Sequence, residues 1–259
     1  MDRERLEKLA ADERFIPGIY NYCDRWCERC PQTLRCLNFK LSEEKFSDPE
    51  TRDIRNEAFW KKLSETLQEA MEMLREEGKK WGIDLDSPAS ESDIESMRQN
   101  DQAAKNHVIS RAARSYGKMV DDWFKEREGL FFEIAAGAKD ELDFEEALEV
   151  IRWYQYFVAA KVMRAIRGKK EEDEEGGDEF PNDSDGSAKI ALIAIDRSIG
   201  AWAVISHHNH RYAEEALAMI SFLDRLKQAI EQTFPTARSF LRPGFDTIDR
   251  NTPVAVIES

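Results

Sequence analysis

Apolar residues recur every three or four positions along five long stretches of this 259-residue chain, a period that calls for α-helices packed face to face. The first stretch opens on Asp48, Pro49 and Glu50, which read as an N-cap, a first-turn proline and an acid at the positive helix pole. Its apolar face runs Trp60, Leu63, Leu67, Met71 (or Ala70), Leu74 and Trp81, and Gly82 closes it. A second starts at Ser92, with Glu95 completing a capping box, and carries Val108, Ala112, Ser115, Met119 and Trp123 before Gly129. Asp143 and Glu146 repeat the box ahead of Ala147, Ile151, Tyr154, Val158, Val162 and Ala165. Two more helices are predicted at 188–206, with Leu192, Ile195, Ile199 and Trp202 inward, and at 209–234. The second of these turns Tyr212, Ala216, Met219, Leu223, Leu226 and Ile230 inward. At 1.5 Å per residue such helices are roughly 30 to 50 Å long, and an antiparallel bundle buries their stripes. The expected fold class is therefore all-α, a bundle of about five long helices behind an N-terminal four-cysteine segment. Trp60, Trp81, Trp123 and Trp202 read as core, and Gly117 inside a helical pattern suits a close helix contact.

The charge is uneven. Of the net −14, residues 168–187 supply half, with nine acids and two lysines. A polar acidic run with several glycines is expected to be a flexible linker. Four segments follow: 1–45 holding the cysteines, 46–167 as the first part of the bundle, the linker, and 188–259 as two further helices and a tail. That tail turns at Pro243 and Gly244 and allows one short strand near Val254. An acidic balance argues against nucleic acid as the main partner, because phosphate contacts need concentrated basic surface. The start, MDRERLEKLAADERF, lacks the apolar run of a secretory signal, and no stretch reads as a membrane span, so a cytoplasmic location is expected. A protein partner or a homodimer is compatible with long half-exposed helices.

All four cysteines fall in YNYCDRWCERCPQTLRCLNF, residues 20–39: Cys23, Cys27, Cys30 and Cys36, spaced C-x3-C-x2-C-P-x4-C. In a reducing compartment, clustered cysteines are metal ligands or working thiols before they are disulfides. On a continuous helix, Cys23 and Cys30 stand about 10.5 Å apart along the axis. Thiolates on one tetrahedral zinc have sulfurs about 3.8 Å apart, given Zn–S near 2.3 Å. The helix must bend, which Pro31 favours, or the bound object must exceed one ion. Zn²⁺ and a [4Fe–4S] cluster both remain open. Residues 20–40 carry Arg25, Arg29, Arg35 and Lys40 against Asp24 and Glu28, a local +2 that suits thiolates. Tyr20, Tyr22, Trp26 and Phe39 are available to shield the site.

Cys23, Cys27 and Cys30 resemble the cysteine spacing of radical SAM enzymes over eight residues. The strand–helix alternation of that barrel is missing, and Cys36 would occupy the position left open there for the cofactor. IPGIYNYCDRWCERCP resembles N-terminal segments of uncharacterised bacterial proteins over about 25 residues, and that resemblance implies only that the four cysteines act together. A redox enzyme using a cluster or the Cys27/Cys30 dithiol is the alternative function, and a metal-free scaffold a further one. His207, His210 and Glu214 offer a second candidate metal site if the chain bends at Asn209, against the plainer reading of histidines at a helix end. A ferritin-like di-iron site is not expected, because no Glu-x-x-His occurs. No phosphate loop, hydrolytic triad or catalytic carboxylate pair stands out. Whether the chain is an enzyme is not fixed by its sequence.

Overall fold

The structure, a computed structural model, describes residues 3–87, 90–127, 141–175, 183–208 and 210–246. Among these residues there are eight α-helices and no strand: α1 (Arg3–Ala10), α2 (Leu37–Lys45), α3 (Glu57–Lys80), α4 (Glu91–Asn106), α5 (Val108–Lys125), α6 (Glu141–Glu175), α7 (Asp183–His208) and α8 (Ala213–Thr233). The proposed strand near Val254 lies outside the described residues. The chain divides into two compact units, Met1–Ile94 with Arg242–Ser259, and Glu95–Leu241. These bounds differ from the sequence-based segments, because α3 falls in the unit of the cysteines. No helix among the described residues is long and apolar enough to cross a membrane.

The Glu95–Leu241 unit closes a ring of four helices: α5 packs on α6, α6 on α7, α7 on α8, and α8 back on α5. All the predicted inward residues of α6 and α8 are buried, as are Leu192, Ile195 and Trp202 of α7. Trp202 is fully buried, lies edge-on to Trp123 with ring centroids 5.1 Å apart, and donates its indole N–H to Tyr116 Oη at 3.1 Å. Burial pushes the Tyr116 phenol up to about 12, so it stays neutral and can accept that bond. Trp123 Nε1 donates to Glu215 at 2.9 Å, and Arg127 closes on the same carboxylate at 2.6 Å, tying α5 to α8.

Four expectations are corrected. The predicted second helix is broken at His107, which is extended (ψ 139°) and whose Nδ1 accepts the Ile109 N–H, so α5 restarts with a different face. Ile109, Ala113, Tyr116 and Val120 are buried beside Trp123, while Val108 is 71% exposed. The described parts of the acidic stretch are helical: α6 runs through Glu175 and α7 begins at Asp183, with Ser184, Asp185 and Ser187 buried. Extending an established helix is cheap, Lys and Glu are good helix formers, and Asp183 and Asp185 suit the positive pole of α7. Residues 176–182 lie outside the described residues.

In the other unit, α3 starts at Glu57 under an Asn56 cap, and Asp48 caps only the 3₁₀ turn Pro49–Thr51. Its half-buried face runs Phe59, Leu63, Thr66, Ala70 and Met73, so the helix is rotated and Trp60 and Trp81 are exposed rather than core. Gly82 (φ 71°) ends α3 as expected, with Ile83 N–H donating to Gly78 O at 2.8 Å in a Schellman turn.

At Gly117 α5 lies close against α6: a Cβ there would meet the Gln155 carbonyl oxygen at 2.9 Å. Backbone cannot swing aside as a side chain does. Gly117→Ala should therefore destabilise the bundle by about 1–3 kcal/mol despite its better helix propensity, measured by urea unfolding followed through tryptophan fluorescence.

Candidate metal centre

Between Gly18 and Leu37 the chain forms three 3₁₀ turns, Ile19–Tyr22, Cys27–Arg29 and Thr33–Arg35, in place of the bent α-helix that the spacing suggests. Gly18 enters them at φ 71°, and Cys30, which precedes Pro31, is held extended at φ −86°, ψ 121°. Each cysteine sits at a turn boundary. Cys23 closes the first turn, Cys27 opens and Cys30 closes the second, and Cys36 closes the third while capping α2.

These boundaries bring all four cysteines to the wall of one recess, with Tyr20, Arg25, Trp26, Phe39 and Phe245 completing its sides. The recess is narrow, with about 20 Å³ open to the centre of a water molecule. All four thiols are half-buried and free of disulfides. Among the described residues, no three His, Cys, Asp or Glu side chains are grouped so that one metal ion could be held. The cysteines thus line a common space.

Backbone N–H groups aim at two of the sulfurs. Gln32 N–H donates to Cys30 Sγ and Phe39 N–H to Cys36 Sγ, both at 3.4 Å, the second at the positive end of α2. Cys23 Sγ lies 3.5 Å from Tyr20 O, as a thiol donor. Burial pushes the Cys27 thiol up, and the negative charge of Cys23, Cys30, Cys36 and Glu28 adds to it. Cys30 is raised by burial too, against the Gln32 N–H that favours its thiolate.

The sign of the pH dependence follows. Thiols whose folded pKa exceeds the unfolded value keep protons that the unfolded chain releases, so their contribution is whole at neutral pH and lost as pH climbs. Ligand-free protein should lose protection of residues 19–36 in hydrogen exchange above about pH 8.5, the ordinary thiol pKa. Loading with a thiolate-bound cation should remove that loss, with protons released on binding.

The far wall of the recess comes from the C-terminal end of the chain. Gly244 (φ 74°) fits so closely over Ile16 and Ile19 that a Cβ would stand 2.6 and 2.8 Å from their Cδ1 atoms. Arg242 holds the turn by pairing both guanidinium arms with Asp246, at 3.0 and 2.9 Å. Phe245 is thereby set into the recess. Its role has no signal in the sequence beyond the neighbouring Pro-Gly turn, and nothing in the sequence separates Arg25, which lines the recess, from Arg29 and Arg35, which do not. Of the four expected aromatic shields, Tyr20, Trp26 and Phe39 line the recess, whereas Tyr22 is buried elsewhere in this unit.

The second candidate site is not assembled. His207 and His208 end α7 with rings crossed at 5.7 Å, and His210 opens the 3₁₀ turn His210–Tyr212. These histidines and Glu214 are exposed, and no three form a ligand group. Adjacent residues on a helix point about 100° apart, so His207 and His208 diverge, and both sit at the negative pole of α7. Asn209 lies outside the described residues. The chain matches no protein-family model, no curated protein and no solved structure.

Proposed function

We propose that Cys23, Cys27, Cys30 and Cys36 together hold a [4Fe–4S] cluster and that the protein responds, through that centre, to the redox state of its surroundings. The observation that carries the reading is one recess lined by all four cysteines, with backbone N–H groups aimed at two of their sulfurs. Zinc would require all four sulfurs to close to about 3.8 Å of one another. A cube gives each thiolate its own iron and accepts a wider ring. The N–H groups of Gln32 and Phe39, aimed at sulfur, are the hydrogen bonds that tune such thiolates.

A reactive Cys27/Cys30 dithiol is less well served. A working thiol needs a depressed pKa, and burial pushes both of these upward. Sensing fits a half-buried site: the cluster would cross-link three short turns, and its oxidative loss would release them. Anaerobic reconstitution with ferrous iron and sulfide tests the reading. A brown protein with visible cluster absorbance supports it, and a colourless protein that takes up one zinc or nothing refutes it.

A further inference from the structure

Among the described residues, Arg25 is the one non-glycine residue with a left-handed backbone, φ 62°. A residue with a Cβ adopts that conformation at a cost that glycine avoids. Strain of this kind persists where surrounding structure imposes it, and it concentrates at functional sites.

The position is telling. Arg25 is central in the loop between Cys23 and Cys27, where Asp24 Oδ1 accepts the Trp26 N–H at 3.1 Å and starts the reversal that Arg25 completes. Glycine or asparagine would make the same reversal with less strain. What they lack is the side chain. Arg25 is among the residues that line the recess of the four cysteines, and its guanidinium lies 5.9 Å from the centre of the ring of Tyr20, another lining residue. No carboxylate among the described residues pairs with it, in a chain with 52 acids. Nearby Arg14, by contrast, is closed onto Asp12 at 2.6 Å.

We infer that Arg25 is the electrostatic positioning residue of the centre: its left-handed turn keeps a positive charge with no carboxylate partner beside the thiolate recess, where it sets the reduction potential of the bound cluster. This inference rests on the cluster reading above. A fixed cation favours the reduced, more negative state of the centre, and removing it lowers the potential.

The test uses the full chain, reconstituted anaerobically, with four variants: Arg25→Gly, Arg25→Asn, Arg25→Lys and Arg25→Glu. The potential is read by reductive titration of the visible absorbance, and ligand-free stability by thermal melting. Arg25→Gly and Arg25→Asn should melt no lower than wild type, because backbone strain is relieved, yet reduce about tenfold less favourably, which is 59 mV for one electron. Arg25→Lys should keep the wild-type potential, because the charge remains. Arg25→Glu should fall below the neutral variants. Equal potentials in wild type, Arg25→Gly and Arg25→Glu, or an Arg25→Lys as low as Arg25→Gly, overturn the inference while leaving the cluster intact. A wild-type chain that takes up no iron and sulfide overturns the cluster reading itself, and the inference with it.

Discussion

Gly244→Ala will loosen the unit that carries the cysteines by about 2–5 kcal/mol, the combined effect of a left-handed backbone and of overpacking. The Cβ has no free space, since the Cδ1 atoms of Ile16 and Ile19 stand at 2.6 and 2.8 Å from its position. Ile19 is itself 1% exposed, so it cannot retreat without disturbing the first 3₁₀ turn. Moving that turn moves Tyr20 and Cys23, and displacing Gly244 moves Phe245 off the recess wall. Faster hydrogen exchange across residues 15–36 is the expected reading, with the helices of the Glu95–Leu241 unit unchanged. Gly200→Ala supplies the control. It lies inside α7 with nothing within 4 Å of a Cβ, and should stabilise that helix by about 1 kcal/mol. Wild-type exchange in Gly244→Ala would show that the C-terminal turn does not support the cysteine site.

Cys36→Ser separates ligation from folding. Cys36 Sγ already acts as the N-cap of α2 by accepting the Phe39 N–H, and serine is among the best residues for that role. The ligand-free variant should therefore melt at or slightly above the wild-type temperature. Its hydroxyl is a poor ligand for iron, so retention of the centre should fall by tenfold or more. Cys27→Ser should lose the centre equally. The dithiol alternative makes the opposite forecast, because a pair formed by Cys27 and Cys30 would function without Cys36.

The helical period exposes most of the bundle to direct reading. Ile151, Tyr154, Val158 and Val162 on α6, and Leu223, Leu226 and Ile230 on α8, are buried as the spacing predicts. Long uninterrupted helices leave little freedom in which residues face inward. The reading fails where a single local contact redirects a helix. The His107 side chain caps α5 and turns Val108 outward, a choice that periodicity cannot see because a histidine is an ordinary helix residue. Composition misleads over residues 168–175, where charged residues that disfavour a core still extend a helix already begun upstream. At the cysteines, residue types and spacing identify the four thiols as a set, and Pro31 marks the break. The left-handed Arg25, the N–H groups of Gln32 and Phe39 and the Phe245 wall depend on backbone geometry and on a contact from more than 200 residues away.

Quantifying iron, acid-labile sulfide and zinc together in anaerobically isolated protein addresses the cysteine recess most directly. Four thiolates on a cube require about four irons and four sulfides per chain and negligible zinc, with both lost in Cys36→Ser. One zinc per chain without sulfide, or iron retained undiminished in Cys36→Ser, would contradict a cluster held by all four cysteines.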